Sequence, residues 1–217
     1  MDIDVTEPAQ ADSALRRRLL GIGLGGTVVS LLPFLMGRAS ATTTTSATSD
    51  TTAATTTTSP PKRPSDADVT LLGFAQSVEI AASRLYEIAL ATTGFGDNEK
   101  AIIATFLDAH KAYAASLSGM LGRAAPQSVN PIFDELQDTF TGDNPTVLDA
   151  AYNLESVAVA THTDILGKLQ GTDGAALIAS MLIVEAAHGT VLATLSGKTD
   201  LDDLLVNTEA DALSAEG

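Results

Sequence analysis

The chain has 217 residues and divides by charge: from Asp66 onward 22 acidic residues face 6 basic ones, a net of −16, whereas residues 1–65 carry a net of +1. An acidic segment of about 150 residues is the size of a single core, and its field repels nucleic acid and anionic lipid, which excludes a nucleic-acid-binding role for the folded part. Zero cysteines exclude a disulfide scaffold, a zinc–thiolate site, an iron–sulfur cluster and a cysteine nucleophile, and aromatics at 4 % disfavour a β-sandwich or barrel and suit closely packed helices.

Residues 1–41 read as an export signal. Arg16-Arg17-Arg18 is followed by an apolar, Gly-rich run from Leu19 to Met36 and by Ala39-Ser40-Ala41, which supplies the small residues of an A-x-A cleavage site. The paired arginines ahead of Leu19-Leu20 resemble a twin-arginine signal, a route that exports proteins already folded. An uncleaved membrane anchor is the alternative, because 18 residues just span a bilayer. Gly21, Gly23, Gly25, Gly26, Pro33 and the A-x-A weigh for cleavage. The expected location is extracytoplasmic, in the cell envelope or secreted, with membrane contact only through an uncleaved signal.

Residues 42–66 read as a Thr/Pro-rich disordered linker. Eleven of the 17 residues from Thr42 to Thr58 are Thr, and no apolar side chains offset the entropy of ordering them. Pro60, Pro61 and Pro64 stiffen its end. A plain linker and an O-glycosylated stalk both fit.

Residues 67–198 read as a four-helix bundle. A first helix begins near Asp66-Ala67-Asp68, carries Leu72, Ala75, Glu79, Ala82, Tyr86 and Ala89 at steps of three and four, and ends near Thr93-Gly94. The second runs from Asp97 to Leu121 with Ile103, Phe106, Leu107, His110, Tyr113, Leu117 and Leu121 on its stripe. Gly122, Pro126 and Pro131 break the chain, a short helical piece over Ile132–Phe140 fills a crossover, and Gly142-Asp143-Asn144-Pro145 closes it. A third helix is expected from Thr146, with Leu148, Tyr152, Glu155, Val159, His162 and Leu166, and a fourth from Ala175 to Leu195, with Ile178, Met181, Glu185, His188 and Leu192. Two helix pairs with short internal turns and one long crossover describe an all-α bundle of ferritin-like connectivity. Residues 199–217 form an acidic tail with one short amphipathic piece (Leu201, Leu204, Leu205), the rest expected to fray.

Each stripe carries residues that an aliphatic core does not tolerate alone: Glu79, His110, Glu155, His162, Glu185 and His188, among them every histidine of the chain. A buried carboxylate needs a hydrogen-bond partner, a proton or a metal. Glu185-Ala186-Ala187-His188 is a Glu-x-x-His step, which stacks carboxylate and imidazole on one helical face. In di-iron and di-manganese bundles two helices each give a Glu and the other two each give Glu-x-x-His. Glu155 with Glu185 and His188 fits that pattern; Glu79 with His110 fits half of it, because Leu107 stands three residues before His110. Asp108 points about 100° away around the helix and does not replace the missing carboxylate.

The segments Leu71-Leu72-Gly73-Phe74-Ala75-Gln76-Ser77-Val78-Glu79-Ile80-Ala81-Ala82 and Met181-Leu182-Ile183-Val184-Glu185-Ala186-Ala187-His188 resemble those of exported bacterial ferritin-like proteins. That resemblance implies a site for paired iron or manganese used in iron oxidation, storage, or oxygen and peroxide chemistry. It assigns ligand positions to Glu79, His110, Glu155, Glu185 and His188. From its spacing alone, seven residues after Glu155 on the same face, His162 reads as a spare or substitute ligand. The carboxylate-rich donor set favours iron or manganese over zinc. Leu107 makes a mononuclear or asymmetric site the expectation, and any enzyme built on it a metal-dependent, ferroxidase-like oxidoreductase. The expected partners are metal ions and, for the bundle, further copies of itself.

Each residue keeps a bland alternative. Glu185 with His188 could be a buried, hydrogen-bonded pair left from a metal-binding ancestor, Glu79 could pair with Arg84 or with a nearby helix N-terminus, His110 could be a neutral histidine bonded to Glu79, and Tyr86, Tyr113 and Tyr152 read as core filler with satisfied hydroxyls. The competing function is a metal-free structural or binding module of the cell envelope, carried on a Thr-rich stalk.

Overall fold

The computed structural model describes residues 62–91, 94–122, 125, 128–205 and 207–215. The signal expected over residues 1–41 and the linker up to residue 61 lie outside the described residues. Four long helices make up most of the rest: α1 (Asp66–Ala91), α2 (Asp97–Leu121), α4 (Asn144–Lys168) and α5 (Thr172–Leu195). A five-residue α3 (Ile132–Leu136) and a 3-10 turn (Thr139–Thr141) occupy the crossover, and α6 (Leu201–Leu204) begins the tail. Among the described residues there is no strand.

Helix ends follow local capping chemistry. Ser65 and Asp68 form a reciprocal box at the start of α1: Ser65 N–H donates to Asp68 Oδ2 at 2.8 Å and Asp68 N–H donates to Ser65 Oγ at 3.2 Å. Glu99 accepts the Gly96 N–H at 2.8 Å ahead of α2. The third long helix begins at Asn144, two residues earlier than the spacing predicts. Asp143 caps it by accepting the Thr146 N–H at 3.1 Å, and Pro145 sits inside the first turn, where its missing N–H is no loss. The fourth begins at Thr172 instead of Ala175. At its other end Gly197, at φ 76°, makes the left-handed turn that lets Lys198 N–H reach Ala193 O at 2.9 Å and Gly197 N–H reach Thr194 O at 3.1 Å.

Cross-helix contacts fix the register. Gln76 meets Ala114 and Glu79 meets His110, so α1 and α2 are antiparallel. His162 meets Glu185 and Glu155 meets His188, so α4 and α5 are antiparallel as well. The two pairs join through α1–α4, where Tyr86 reaches Glu155, and through α2–α5, where Phe106 stacks on His188. The crossover is pinned to α1 by Asn130, whose N–H donates to Ser77 O at 3.1 Å, and it buries Ile132 and Phe140.

Two apolar clusters fill the bundle. One contains Leu85, Tyr86, Ile103, Phe106, Phe140, Leu154 and Leu192; the other contains Leu72, Leu117, Ile165, Ile178 and Met181. Helix α5 is apolar nearly all round and is the one described helix long and apolar enough to cross a membrane. It packs on α4 and α2 and leaves Ile183 73 % exposed on its outer side. Where fraying was expected, described residues of the tail dock on the bundle: Thr190 Oγ1 donates to Leu204 O at 2.8 Å, Leu213 N–H donates to Thr161 Oγ1 at 2.9 Å, and Leu204 and Leu213 rest on the core.

Asp68 ties the start of the bundle to its last turn. Its carboxylate also accepts Gln170 N–H at 2.8 Å and Gly171 N–H at 3.0 Å, and a Cβ on Gly171 would stand 2.9 Å from Arg63 O, so only glycine permits that approach. Burial opposes ionisation of Asp68, but the N–H donors of Gln170, Ser65 and Gly171 outweigh it and hold the carboxyl below its ordinary 3.8. Replacing Asp68 by Ala is expected to lower the unfolding free energy by about 2–3 kcal/mol in urea denaturation. The wild-type advantage over Asp68→Ala is present above about pH 4 and shrinks as pH falls through the depressed pKa.

Candidate metal centre

Between the two apolar clusters lies a layer of ionisable groups. Glu79, Glu155, Glu185 and His162 are 0 % exposed, His110 is 1 % exposed and His188 6 %. Each comes from the inward stripe of its helix: Glu79 from α1, His110 from α2, Glu155 and His162 from α4, and Glu185 and His188 from α5. The structure therefore brings all six sequence-predicted residues into one place.

The layer has two tiers, because Glu155 and His162 stand seven residues and about 10.5 Å apart along α4. In the upper tier Glu155 Oε1 is the meeting point: Tyr86 Oη donates to it at 2.5 Å, His110 Nε2 lies 3.0 Å away and His188 Nδ1 3.3 Å away. In the lower tier His162 Nδ1 lies 2.8 Å from Glu185 Oε2, and His162 Nε2 faces Glu79 Oε1 at 3.6 Å, beyond hydrogen-bond reach. His110 links the tiers, its Nδ1 being 2.9 Å from Glu79 Oε2.

Aromatic rings hold the imidazoles in place. Tyr86 stacks on His110 with centroids 5.2 Å apart, and Phe106 stacks on His188 at 3.9 Å. Both rings sit in the apolar cluster that seals this side of the layer. Tyr86 has the satisfied hydroxyl expected of it, but its partner is Glu155, a role that reading it as core filler did not include. The sequence places Tyr86 on the face of Glu79, seven residues on, but carries no signal for its partner on another helix.

Arg84 does not pair with Glu79. It is exposed and lies 5.9 Å over the Phe133 ring, while Glu79 is engaged by His110. Leu107 is buried in the apolar cluster and Asp108 is exposed, so α2 contributes an imidazole and no carboxylate.

The unmet hydrogen-bonding capacity of the layer is compatible with a bound cation. Glu79 Oε1, Glu155 Oε2, Glu185 Oε1 and His162 Nε2 are buried without a hydrogen-bond partner. Two trios, His110–Glu155–His188 and Glu79–His110–Glu185, each place one ligand atom per residue within 4.8 Å of the others. Carboxylate oxygens with imidazole nitrogens at these separations suit a divalent transition metal.

Without metal, protons hold the layer together. Burial opposes charging of His110, but Glu155 and Glu79 overcome it and raise its pKa well above the ordinary 6.5. Burial likewise opposes charging of His162, and Glu185 and Glu79 reverse that. Burial would raise Glu155, yet His110 and His188 carry it well below the ordinary carboxylate range. For Glu185 burial prevails over His162, with Glu79 and Glu155 adding to it, and the pKa rises to about 7. The Tyr86 phenol is pushed well above 10.0 by burial and by Glu155.

These directions set a pH dependence for the metal-free protein. Glu185 in the folded state keeps a proton that the unfolded chain loses near pH 4.5, and the stabilisation at His110 and His162 is complete below about pH 6.5 and lost as pH rises through their raised values. Glu155 acts oppositely, its stabilisation being lost as pH falls below its ordinary 4.5. The thermal midpoint of the metal-free protein is expected to peak near pH 5 and to decline towards pH 8. Glu185→Gln should flatten most of that decline, which is worth on the order of 3 kcal/mol. A midpoint that rises steadily from pH 5 to 8 in calorimetry would contradict these assignments.

No curated protein matches the chain, and no solved structure matches it. The family described as Ferritin-like domain matches residues 67–198, the span that carries the long helices and all six residues of the layer. With more than half of its length so matched, the chain belongs to the ferritin-like domain family.

Proposed function

We propose that this protein is an exported ferritin-like protein that binds iron or manganese between its helix pairs, with Glu79, Glu155 and Glu185 as oxygen donors and His110, His162 and His188 as nitrogen donors. The observation that carries this reading is the set of four buried polar atoms without partners: Glu79 Oε1, Glu155 Oε2, His162 Nε2 and Glu185 Oε1. Each costs on the order of 1–3 kcal/mol if left unsatisfied, and a single divalent cation would satisfy several at once. Export rests on the arginine cluster and the A-x-A of residues 1–41, and an extracytoplasmic location follows from it.

A bound iron or manganese would supply one-electron redox chemistry towards oxygen or peroxide. The chain's own contribution is positional. Tyr86 and Phe106 orient His110 and His188 and exclude water, the Tyr86 hydroxyl donates a hydrogen bond to the Glu155 carboxylate at Oε1, and the two-tier layout offers unequal donor sets. Leu107 removes one carboxylate from the α2 side, so an asymmetric or mononuclear centre is the form proposed, and complete ferroxidase activity is not.

The competing reading, a metal-free envelope module on a Thr-rich stalk, draws support from His110, whose two ring nitrogens both meet carboxylates. Metal content separates the two. Protein produced with iron and manganese available and purified without chelators is expected to hold roughly one metal ion per chain, and about 100-fold excess over Kd should add about 2.7 kcal/mol to unfolding. Glu185→Ala should abolish uptake and the metal-induced shift together. Less than ~0.2 ion per chain with no shift on adding iron(II) or manganese(II) would favour the metal-free module.

A further inference from the structure

One side of the ionisable layer is not sealed by aromatic rings. Between α4 and α5 lies a small cleft of about 20 Å³, room for about one water, with Glu155 and Glu185 among the residues that line it. These two are its fully buried residues, and each carries one of the unpartnered carboxylate oxygens. Tyr152 of α4 and Gly189 of α5 form its walls, and Asp203 and Asn207 of the tail form its rim. Gly189 keeps this wall thin: a Cβ there would stand 3.9 Å from Glu155 Cβ, so a larger side chain would fill the space over that residue.

The rim is built, not incidental. The left-handed turn at Gly197 returns the chain across the α4–α5 groove, Thr190 Oγ1 holds Leu204 O at 2.8 Å, and Tyr152 Oη donates to Asp203 Oδ1 at 3.4 Å. Lys198, the cation of this turn, is occupied by Asp149 at 3.1 Å and by the Tyr152 ring at 4.6 Å from its centroid, which leaves the charge at the rim negative. The cleft thus stands between an acidic rim and two buried carboxylates with unpartnered oxygens.

We infer that this cleft is the port by which a divalent cation, shedding its water, reaches the buried layer, with Asp203 as the oxygen donor it meets first and Gly189 as the residue whose lack of a side chain keeps the wall over Glu155 thin. The inference rests on the metal-binding reading above and adds to it a route and a role for the C-terminal segment. A focused negative potential at a narrow mouth raises cation on-rates without changing the final site.

The test uses the full chain and cobalt(II) as probe, with stopped-flow absorption in the visible giving the rate and equilibrium dialysis giving the stoichiometry. Asp203→Asn is expected to slow binding about fivefold at low salt, an effect that fades at high salt, with the stoichiometry unchanged. Gly189→Leu is expected to slow it by about tenfold or more. Gly189→Ala, which makes only an ordinary contact and suits a helix, guards against misfolding and should give an intermediate rate. Rates within twofold of wild type in Asp203→Asn and both Gly189 variants, with stoichiometry intact, would overturn the port while leaving the metal site standing. Absence of cobalt(II), iron(II) and manganese(II) from the wild-type layer at equilibrium would overturn both.

Discussion

A carboxylate buried among aliphatic side chains is several kcal/mol worse off than in water unless a proton, a donor or a cation compensates it. Here three such carboxylates lie within one layer of a helical bundle, at 0 % exposure, and three imidazoles lie among them. The rest of the structure is arranged around that constraint. Antiparallel pairing of α1 with α2 and of α4 with α5 brings Glu79 to His110 and Glu155 to His188, and joining the pairs brings Tyr86 to Glu155 and His162 to Glu79. A one-turn slip of any long helix would move its ionisable residue by about 5.4 Å into an apolar cluster. The polar layer therefore specifies the helix register, while the two aliphatic clusters on either side supply the larger share of burial energy.

Compensation within the layer is incomplete, and that is where function enters. Glu155 Oε1 meets a phenol and two imidazoles, yet Oε2 of the same carboxylate has no partner. A purely structural network would be expected to satisfy both oxygens. Instead the unmet atoms of Glu79, Glu155, Glu185 and His162 are spread over both tiers, and one side of the layer carries stacked rings while a small cleft with Asp203 at its rim lies over the α4–α5 side. Protons and divalent cations compete for such a set, so metal binding and pH are coupled through the same groups.

Much of this was legible in the residues. Gly and Pro punctuation and steps of three and four located α1 and α2 within a residue or two, and six polar interruptions of apolar stripes identified the whole layer before any coordinates. What escaped depended on context. Pro145 reads as a terminator, but the capping oxygen of Asp143 makes it a first-turn residue and moves the start of α4. His162 reads as a spare ligand because seven residues separate it from Glu155; only the antiparallel register shows that it belongs to a second tier, with Glu185. The tail lacks an apolar stripe long enough to announce docking, since Thr190, Thr161 and Tyr152 hold it mainly through single hydrogen bonds. Tyr86 was placed on the right face, but its partner lies on another helix and has no local signature.

The central claim is that a metal ion takes the place of protons held by the buried layer. Calorimetric titration of manganese(II) into the metal-free protein near pH 7, in two buffers of different ionisation enthalpy, counts the protons displaced per ion bound. Release of at least about one proton per manganese ion is expected, because His110, His162 and Glu185 all hold protons more tightly than their exposed counterparts. Binding with no proton release would place the ion on the acidic surface and contradict that claim.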